Sequence, residues 1–243
     1  MADENEQERD ADATEPRSRR AALIFVAALV AILAVVGIVA MIAGGGDDGE
    51  DDDGASSAEL VCESVPNDGG TEDCPDEIVT EPADVEVATS EGDFTISLDT
   101  ENWPATSTSF RHLVEEGFYD DNGFHRVVPG FVIQGGDPFY GDDSKVGSGG
   151  AGYAVDEEVP ADTTYPAGTV AMAKTGTDPA GRSGSQFFVV SGDGGSQLTP
   201  DYAIAGTVAE GMETVEKIDA LGQGDGPPSK PVTIESMTLV PAS

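Results

Sequence analysis

Basic residues are scarce in this chain of 243 residues, which has 11 lysines and arginines against 47 aspartates and glutamates. A formal net charge of −36 repels the phosphate backbone, so the composition argues against a nucleic-acid-binding protein. Salt screens self-repulsion of this size, which favours a salt-rich environment without requiring one.

Cysteine and histidine are also sparse, with two of each. Cys62 and Cys74 bracket a polar loop, while His112 and His125 lie elsewhere in the chain. We therefore expect no zinc site built from these residues, and we predict neither a metal nor a cofactor. The spacing is not C-x-x-C, which argues against redox catalysis, but the pair is compatible with a disulfide in an oxidising compartment.

Motifs of covalent and dinucleotide chemistry are missing as well. The chain contains no G-x-S-x-G, and Ser185 opens an apolar run with no histidine beside it. GSGGAG at 147–152 matches G-x-G-x-x-G, but it follows a polar stretch and precedes no helical pattern. Neither a serine nucleophile nor a dinucleotide site is expected.

One long uncharged run is present, AALIFVAALVAILAVVGIVAMIA at 21–43. About 20 apolar residues span a bilayer core, so this run predicts a transmembrane helix. Arginines precede it and acidic residues follow it, which places the N-terminus in the cytoplasm and the remainder outside. A signal peptide cleaved near Ala43 and a buried helix of a soluble core are the alternatives.

Composition divides the chain into four parts. Residues 1–20 read as a disordered cytoplasmic tail, 21–43 as the membrane helix, and 44–83 as an acidic Gly/Asp-rich linker that holds both cysteines. Residues 84–243 form the folded domain. This organisation predicts a single-pass protein of the cell membrane, and it favours a prokaryotic envelope.

Short strand patterns dominate the folded domain. VEVATS and FTISL alternate around a turn and predict a β-hairpin, and further apolar segments include FHRVV, FVIQ, TVAMAK, SQFFVV, AIAGTV and VTIESMTLV. PATSTSFRHLVEEG and METVEKIDAL have helical spacing. The pattern predicts an all-β barrel capped by two short α-helices.

Several motifs together carry a family resemblance. FHRVVPGFVIQGGDP, GSGGAGYAVDEE, GTVAMAKTG, GSQFFVV and YAIAGTVAEGMETVEKI occur in this order. Over about residues 84–241 the chain resembles a cyclophilin-type peptidyl-prolyl cis-trans isomerase domain. The resemblance implies a closed eight-stranded antiparallel barrel with two helices, acting on X–Pro bonds of polypeptides without a cofactor. With the anchor, it implies a monomer that assists the folding of exported proteins.

The resemblance also assigns roles to individual residues. Arg126 resembles the arginine that stabilises the twisted amide, and Gln134 resembles the glutamine that holds it and contacts substrate backbone. The proline pocket and substrate cleft would be formed by Phe131, Val132, Phe188, Leu198, Ala173, Lys174, Gln186, Tyr202 and His125. The alternatives are core packing for the two phenylalanines and purely structural roles for His125, Gln134 and Gln186, with Arg126 as a surface residue.

Four positions depart from the best-known members of this family. Val132 replaces a methionine, Lys174 an asparagine, Gln197 a tryptophan and Tyr202 a histidine, and the segment TGTDPAGRSG is longer. These changes spare the arginine, but they leave cyclosporin sensitivity and the sequence preference around proline open. The rival hypothesis is a module or chaperone that binds proline-containing segments without catalysis.

Overall fold

The computed structural model describes residues 60–243. Its strands are β1 (Cys62–Ser64), β2 (Ala83–Thr89), β3 (Gly92–Leu98), β4 (Asn122–Val128), β5 (Val132–Gly135), β6 (Tyr153–Asp156), β7 (Thr169–Met172), β8 (Arg182–Ser183), β9 (Phe187–Val190), β10 (Ile204–Glu210) and β11 (Thr233–Pro241). The α-helices are α1 (Pro104–Glu115) and α2 (Met212–Asp219), and a 3-10 helix spans Asp193–Gln197.

Eight strands close into an antiparallel barrel in the order β10-β3-β2-β11-β4-β5-β9-β7. The predicted hairpin is confirmed as β2 and β3, whose alternating side chains point into the barrel and include the fully buried Val85, Val87 and Ile96. The all-β barrel with two helices is therefore confirmed. Strands β1, β6 and β8 form a separate three-stranded sheet.

The two helices bury the apolar faces that their spacing predicts. Phe110 and Leu113 of α1 are fully buried, as are Val215 and Ile218 of α2. Helix α1 begins at Pro104, where the missing N–H costs nothing. The carboxylate of Glu157 accepts hydrogen bonds from the next two backbone N–H groups of this helix, at 3.1 and 2.9 Å.

Alternation along β9 separates two hydrophobic clusters. Phe187 packs in the large core inside the barrel, while Phe188 faces the opposite side of the sheet. There Phe188 joins a smaller cluster with Val132, Tyr165 and Val190. This second cluster lies beneath the site described below.

The linker predicted over 44–83 differs from the structure in its second half. Residues 44–59 lie outside the described residues, but β1 pairs with β6, and Leu60 is only 6% exposed. Cys62 and Cys74 form a disulfide. Composition was misleading here because backbone pairing and a covalent bond hold a polar segment that has little apolar surface to bury.

The predicted transmembrane helix, 21–43, and the tail before it also lie outside the described residues. Between residues 60 and 243, none of the helices combines the length and the apolar character needed to cross a bilayer.

Removing the disulfide tests how the segment before the barrel is held. We expect Cys62→Ser with Cys74→Ser to lower the free energy of unfolding by up to about 3 kcal/mol, because a short loop is no longer closed in the unfolded chain. Denaturant unfolding of the variant and the parent measures this loss. Reductant should produce the same loss in the parent and none in the variant, and identical midpoints for both proteins would contradict the expectation.

Candidate active site

The antiparallel register of β4 and β5 places Arg126 directly opposite Gln134. Residues opposite each other in a ladder share one face of the sheet, so the two polar side chains meet outside the barrel. The Arg126 guanidinium donates from Nη1 to Oε1 of Gln134 at 3.2 Å. Its Nε donates to Oδ1 of Asp225 at 2.5 Å. Two acceptors on different sides fix the plane of the guanidinium.

A chain of side-chain amides continues from Gln134 into the protein. Nε2 of Gln134 donates to Oε1 of Gln186 at 3.0 Å. Nε2 of Gln186 donates to the carbonyl of Gly149 at 2.8 Å and to the carboxylate of Asp137 at 3.3 Å. Both of these groups only accept hydrogen bonds, so each amide turns its NH2 group towards Asp137 and its oxygen towards Arg126.

Asp137 is fully buried, and it organises the loop that follows β5. Its carboxylate accepts hydrogen bonds from the backbone N–H groups of Phe139 at 2.7 Å and of Gly147. Gly149 passes so close to this carboxylate that a Cβ on it would lie 2.2 Å from Oδ1. Glycine at 149 therefore permits the contact between loop and carboxylate that orients Gln186.

A cavity of about 180 Å³ opens beside the guanidinium. Nine of the eleven predicted site residues line it, namely Arg126, Phe131, Val132, Gln134, Ala173, Lys174, Phe188, Leu198 and Tyr202. Its volume and its mixture of aromatic and aliphatic walls suit a small apolar ring. The structure thus brings together residues that are up to 76 positions apart in the sequence.

Aromatic packing holds the walls of this cavity. The rings of Phe188 and Tyr202 meet edge to face with centroids 5.3 Å apart. The hydroxyl of Tyr165 donates to the carbonyl of Tyr202 at 2.8 Å and accepts from its N–H at 3.0 Å. Phe188 is only 5% exposed, so it serves both as core and as cavity wall.

His125 and Gln186 are the two predicted residues that do not line this cavity. Gln186 lies behind Gln134, and His125 is half-buried, with no hydrogen-bond partner for Nδ1 among residues 60–243. Burial lowers the pKa of His125, and neighbouring Arg126 lowers it further against the opposing effect of Asp137. A ring that is neutral at neutral pH and away from the cavity supports a structural role for this histidine.

Asp225 is the site residue that the sequence did not reveal. It lies in the loop GQGDGPPSK, 99 residues from Arg126, and nothing in that loop distinguishes it from the many solvated acids of the chain. The loop is held in place because the N–H of Val127 donates to the carbonyl of Gly226 at 2.8 Å. The Arg126 guanidinium lowers the pKa of Asp225 below its ordinary value of 3.8, so the carboxylate is ionised at neutral pH.

A larger cavity of about 470 Å³ adjoins the first and shares Gln134, Ala173 and Lys174 with it. Part of its lining comes from residues 63–68, which were predicted to belong to the linker. Among residues 60–243 no group of three or more His, Cys, Asp or Glu side chains is arranged to hold a metal ion.

A family model described as cyclophilin type peptidyl-prolyl cis-trans isomerase/CLD matches residues 84–239. The chain therefore belongs to the cyclophilin-type peptidyl-prolyl cis-trans isomerase family, as its barrel and its site indicate.

Individual relatives agree with this assignment. The probable peptidyl-prolyl cis-trans isomerase B of Mycobacterium leprae (strain TN) is 38% identical over 185 residues, which cover 67% of this chain and 59% of that protein. Peptidyl-prolyl cis-trans isomerase A of Dickeya dadantii (strain 3937) is 32% identical, over 63% of this chain and 83% of that protein. The chain thus spans less than two thirds of the mycobacterial relative.

Solved structures share the fold. The crystal structure of a Cryptosporidium parvum cyclophilin type peptidyl-prolyl cis-trans isomerase superposes with a TM-score of 0.58 at 28% identity. The match covers 67% of this chain and 99% of that one. A second structure of the same protein, in the presence of the dipeptide ala-pro, has a TM-score of 0.57 and the same identity.

Replacing Asp225 tests whether it orients the guanidinium. In Asp225→Ala the Nε–H of Arg126 loses its acceptor, so we expect its proton resonance to move and its exchange with water to accelerate. Asp225→Asn keeps an oxygen acceptor but loses the charge, so its resonance should lie between those of the parent and Asp225→Ala. In the parent the resonance should move only below about pH 4, since the pair is lost as Asp225 protonates. An unchanged resonance in Asp225→Ala would contradict the assignment.

Proposed function

We propose that this chain catalyses cis-trans isomerisation of X–Pro peptide bonds in polypeptides, with Arg126 as the catalytic residue. The observation that carries the proposal is a guanidinium held by two acceptors at the rim of an aromatic cavity. Membership of the family supports it, as do the relatives named as isomerases.

The reaction requires rotation about an amide bond and no covalent step. Amide resonance sets a barrier of about 18–20 kcal/mol, and an enzyme lowers it by binding the twisted amide more tightly than either planar isomer. None of the nine residues that line the smaller cavity is serine or cysteine, which fits a mechanism without a nucleophile.

Arg126 supplies a donor whose hydrogen bond strengthens as the bond rotates. Twisting returns the lone pair to the prolyl nitrogen and makes it a better acceptor. The guanidinium remains charged at every relevant pH, and Nε and one hydrogen of Nη1 are already engaged by Asp225 and Gln134. The remaining N–H groups are free to face the substrate, and their direction is set before the substrate binds.

The cavity walls select the ring next to this donor. A proline ring is apolar and rigid, so Phe131, Phe188 and Leu198 gain contact with it at little cost in conformational entropy. The amide of Gln134 lines the cavity beside the arginine, where its oxygen accepts a hydrogen bond from Arg126 and its edge would contact substrate backbone.

A variant of the arginine tests the activity and the mechanism together. We expect Arg126→Ala in the full-length chain to lower kcat/KM on an X–Pro peptide by about 10²-fold, as loss of one preorganised donor does elsewhere. Arg126→Lys should remain impaired, because an ammonium cannot bond Asp225 and Gln134 in the same plane. Peptide binding should change much less than turnover.

Arg111→Ala provides the matched control, since Arg111 pairs with Glu115 on the surface of α1 and lines neither cavity. If Arg126→Ala isomerises the peptide as fast as the parent does, Arg126 has no catalytic role. Peptide binding with no acceleration by the parent would instead favour a binding module or chaperone.

The proposed setting is the cell envelope, where the chain would accelerate proline-limited folding of exported proteins, a step of roughly 10–100 s without catalysis. The uncharged run at 21–43 and the basic residues before it support a membrane anchor with the N-terminus in the cytoplasm. The Cys62–Cys74 disulfide supports an oxidising compartment for the rest.

Cell fractionation tests this location. We expect the full-length chain to sediment with membranes and to resist extraction with alkaline carbonate, because a spanning helix is not released by removing peripheral contacts. External protease should reach residues beyond 43 in cells with an opened envelope but an intact cytoplasmic membrane. A chain recovered in the soluble cytoplasmic fraction would contradict the proposed anchor.

A further inference from the structure

The larger cavity directly adjoins the smaller one. The two share Gln134, Ala173 and Lys174, so a chain that places proline in the smaller cavity has its neighbouring residues beside the larger. At about 470 Å³ the larger cavity falls within the range of ligand-binding sites. It has room for the side chain of a residue that flanks the proline.

The outer wall of this cavity is the segment closed by the disulfide, residues 62–74, which we call the stapled segment. Its contribution to the lining consists of Glu63, Ser64, Val65, Pro66 and Asp68. The family match begins only at residue 84, so this wall lies outside the part of the chain that the family accounts for.

Backbone hydrogen bonds hold the stapled segment in register with the barrel domain. Ser64 pairs with Tyr153 in the ladder between β1 and β6. The N–H of Val65 donates to the carbonyl of Gly152, and the N–H of Gly150 donates to the carbonyl of Asp68, both at 2.8 Å. With the disulfide, these bonds make the segment a fixed wall.

Charge on the lining of the larger cavity is unbalanced. Three acids, Glu63, Asp68 and Asp178, face two bases, Lys174 and Arg182. Arg182 is engaged by the carboxylates of both Glu63 and Asp156, the latter at 2.8 Å, so a fourth acid, outside the lining, also offsets its charge.

Lys174 offsets this excess only in part. Its Nζ donates to the backbone carbonyl of Asp178 at 3.2 Å and lies 5.6 Å from the ring centroid of Tyr202. Two of the three lining acids come from the stapled segment, so the segment itself sets the negative sign of the cavity.

We propose that the stapled segment sets the charge preference of this second subsite, so that a residue flanking the proline is favoured there when its side chain is basic rather than acidic. The inference rests on the proposed function, because it assigns the occupant of the adjoining cavity. It names proline-containing polypeptides with lysine or arginine near the proline as the preferred substrate class.

The test uses the full-length chain and peptides with one X–Pro core, in which Lys, Gln or Glu stands in turn at each flanking position. At low salt we expect kcat/KM for a Lys-flanked peptide to exceed that for the Glu-flanked peptide by about threefold to tenfold at one of the positions. At molar salt the difference should largely disappear, because the Debye length falls to about 3 Å.

Two substitutions separate the wall from the overall charge of the chain. Ser64 is exposed on β1, lines the cavity and makes no side-chain hydrogen bond within the part of the chain that the structure describes, so Ser64→Lys adds a positive charge without removing such a bond. It should reduce or reverse the preference. Glu63→Gln should reduce the preference as well, with Arg182 still paired to Asp156.

Thr207→Lys is the matched control, because Thr207 is exposed on β10 and lines neither cavity. It adds the same charge to the chain and should leave the preference unchanged. Equal kcat/KM for the Lys- and Glu-flanked peptides in the parent would overturn the inference. So would a preference that Ser64→Lys and Thr207→Lys alter to the same extent.

Dissociation constants of the same peptides separate this inference from the proposed function. A Lys-over-Glu preference in binding that Ser64→Lys abolishes would support the subsite even if no peptide were isomerised, and only the proposed activity would then fail. Isomerisation that is indifferent to the flanking residue, with binding equally indifferent, would keep the activity and overturn the subsite.

Discussion

The register between β4, β5 and β9 is the constraint on which the site depends. In this ladder Arg126 faces Gln134, and Gln134 faces Phe188, so donor, acceptor and aromatic wall stand side by side on one face of the sheet. A slip of one residue in this register would turn these three side chains into the barrel. The side chains that now form the core of the barrel would then face outwards. The closed barrel fixes this register, because the alternate residues, among them Phe187, fill its interior.

A buried carboxylate sets the direction in which the hydrogen bonds of the site run. Asp137 and the loop that it holds accept hydrogen bonds from the amide NH2 group of Gln186. The oxygen of Gln186 therefore accepts a hydrogen bond from Gln134, and the oxygen of Gln134 accepts one from Arg126. With Asp225 on the other side, the guanidinium is held at both ends. A donor that is already oriented loses little entropy when the amide twists. Stabilisation of a transition state requires donors that are oriented in this way before the reaction.

The stapled segment shows how a polar sequence becomes part of a folded domain. It offers almost no apolar side chains to a core, and Val61, immediately before it, is 77% exposed. A disulfide and backbone pairing to β6 hold it instead, and in this position its carboxylates reach the larger cavity, which adjoins the smaller one. Under the proposed function, this is where the acidity of the chain acts on substrate choice.

The sequence by itself determined the barrel, the hairpin and both helices, because apolar periodicity and turn residues are local signals. The family resemblance carried by its ordered motifs also located the arginine and the lining of the smaller cavity, since roles transfer position by position where the motifs match. Only the tertiary structure decided the partner of Arg126, since Asp225 looks like any other solvated acid until a distant loop brings it within 2.5 Å. It also decided the wall of the second cavity, because pairing between Cys62–Ser64 and Tyr153–Asp156 depends on contacts that neither segment encodes alone.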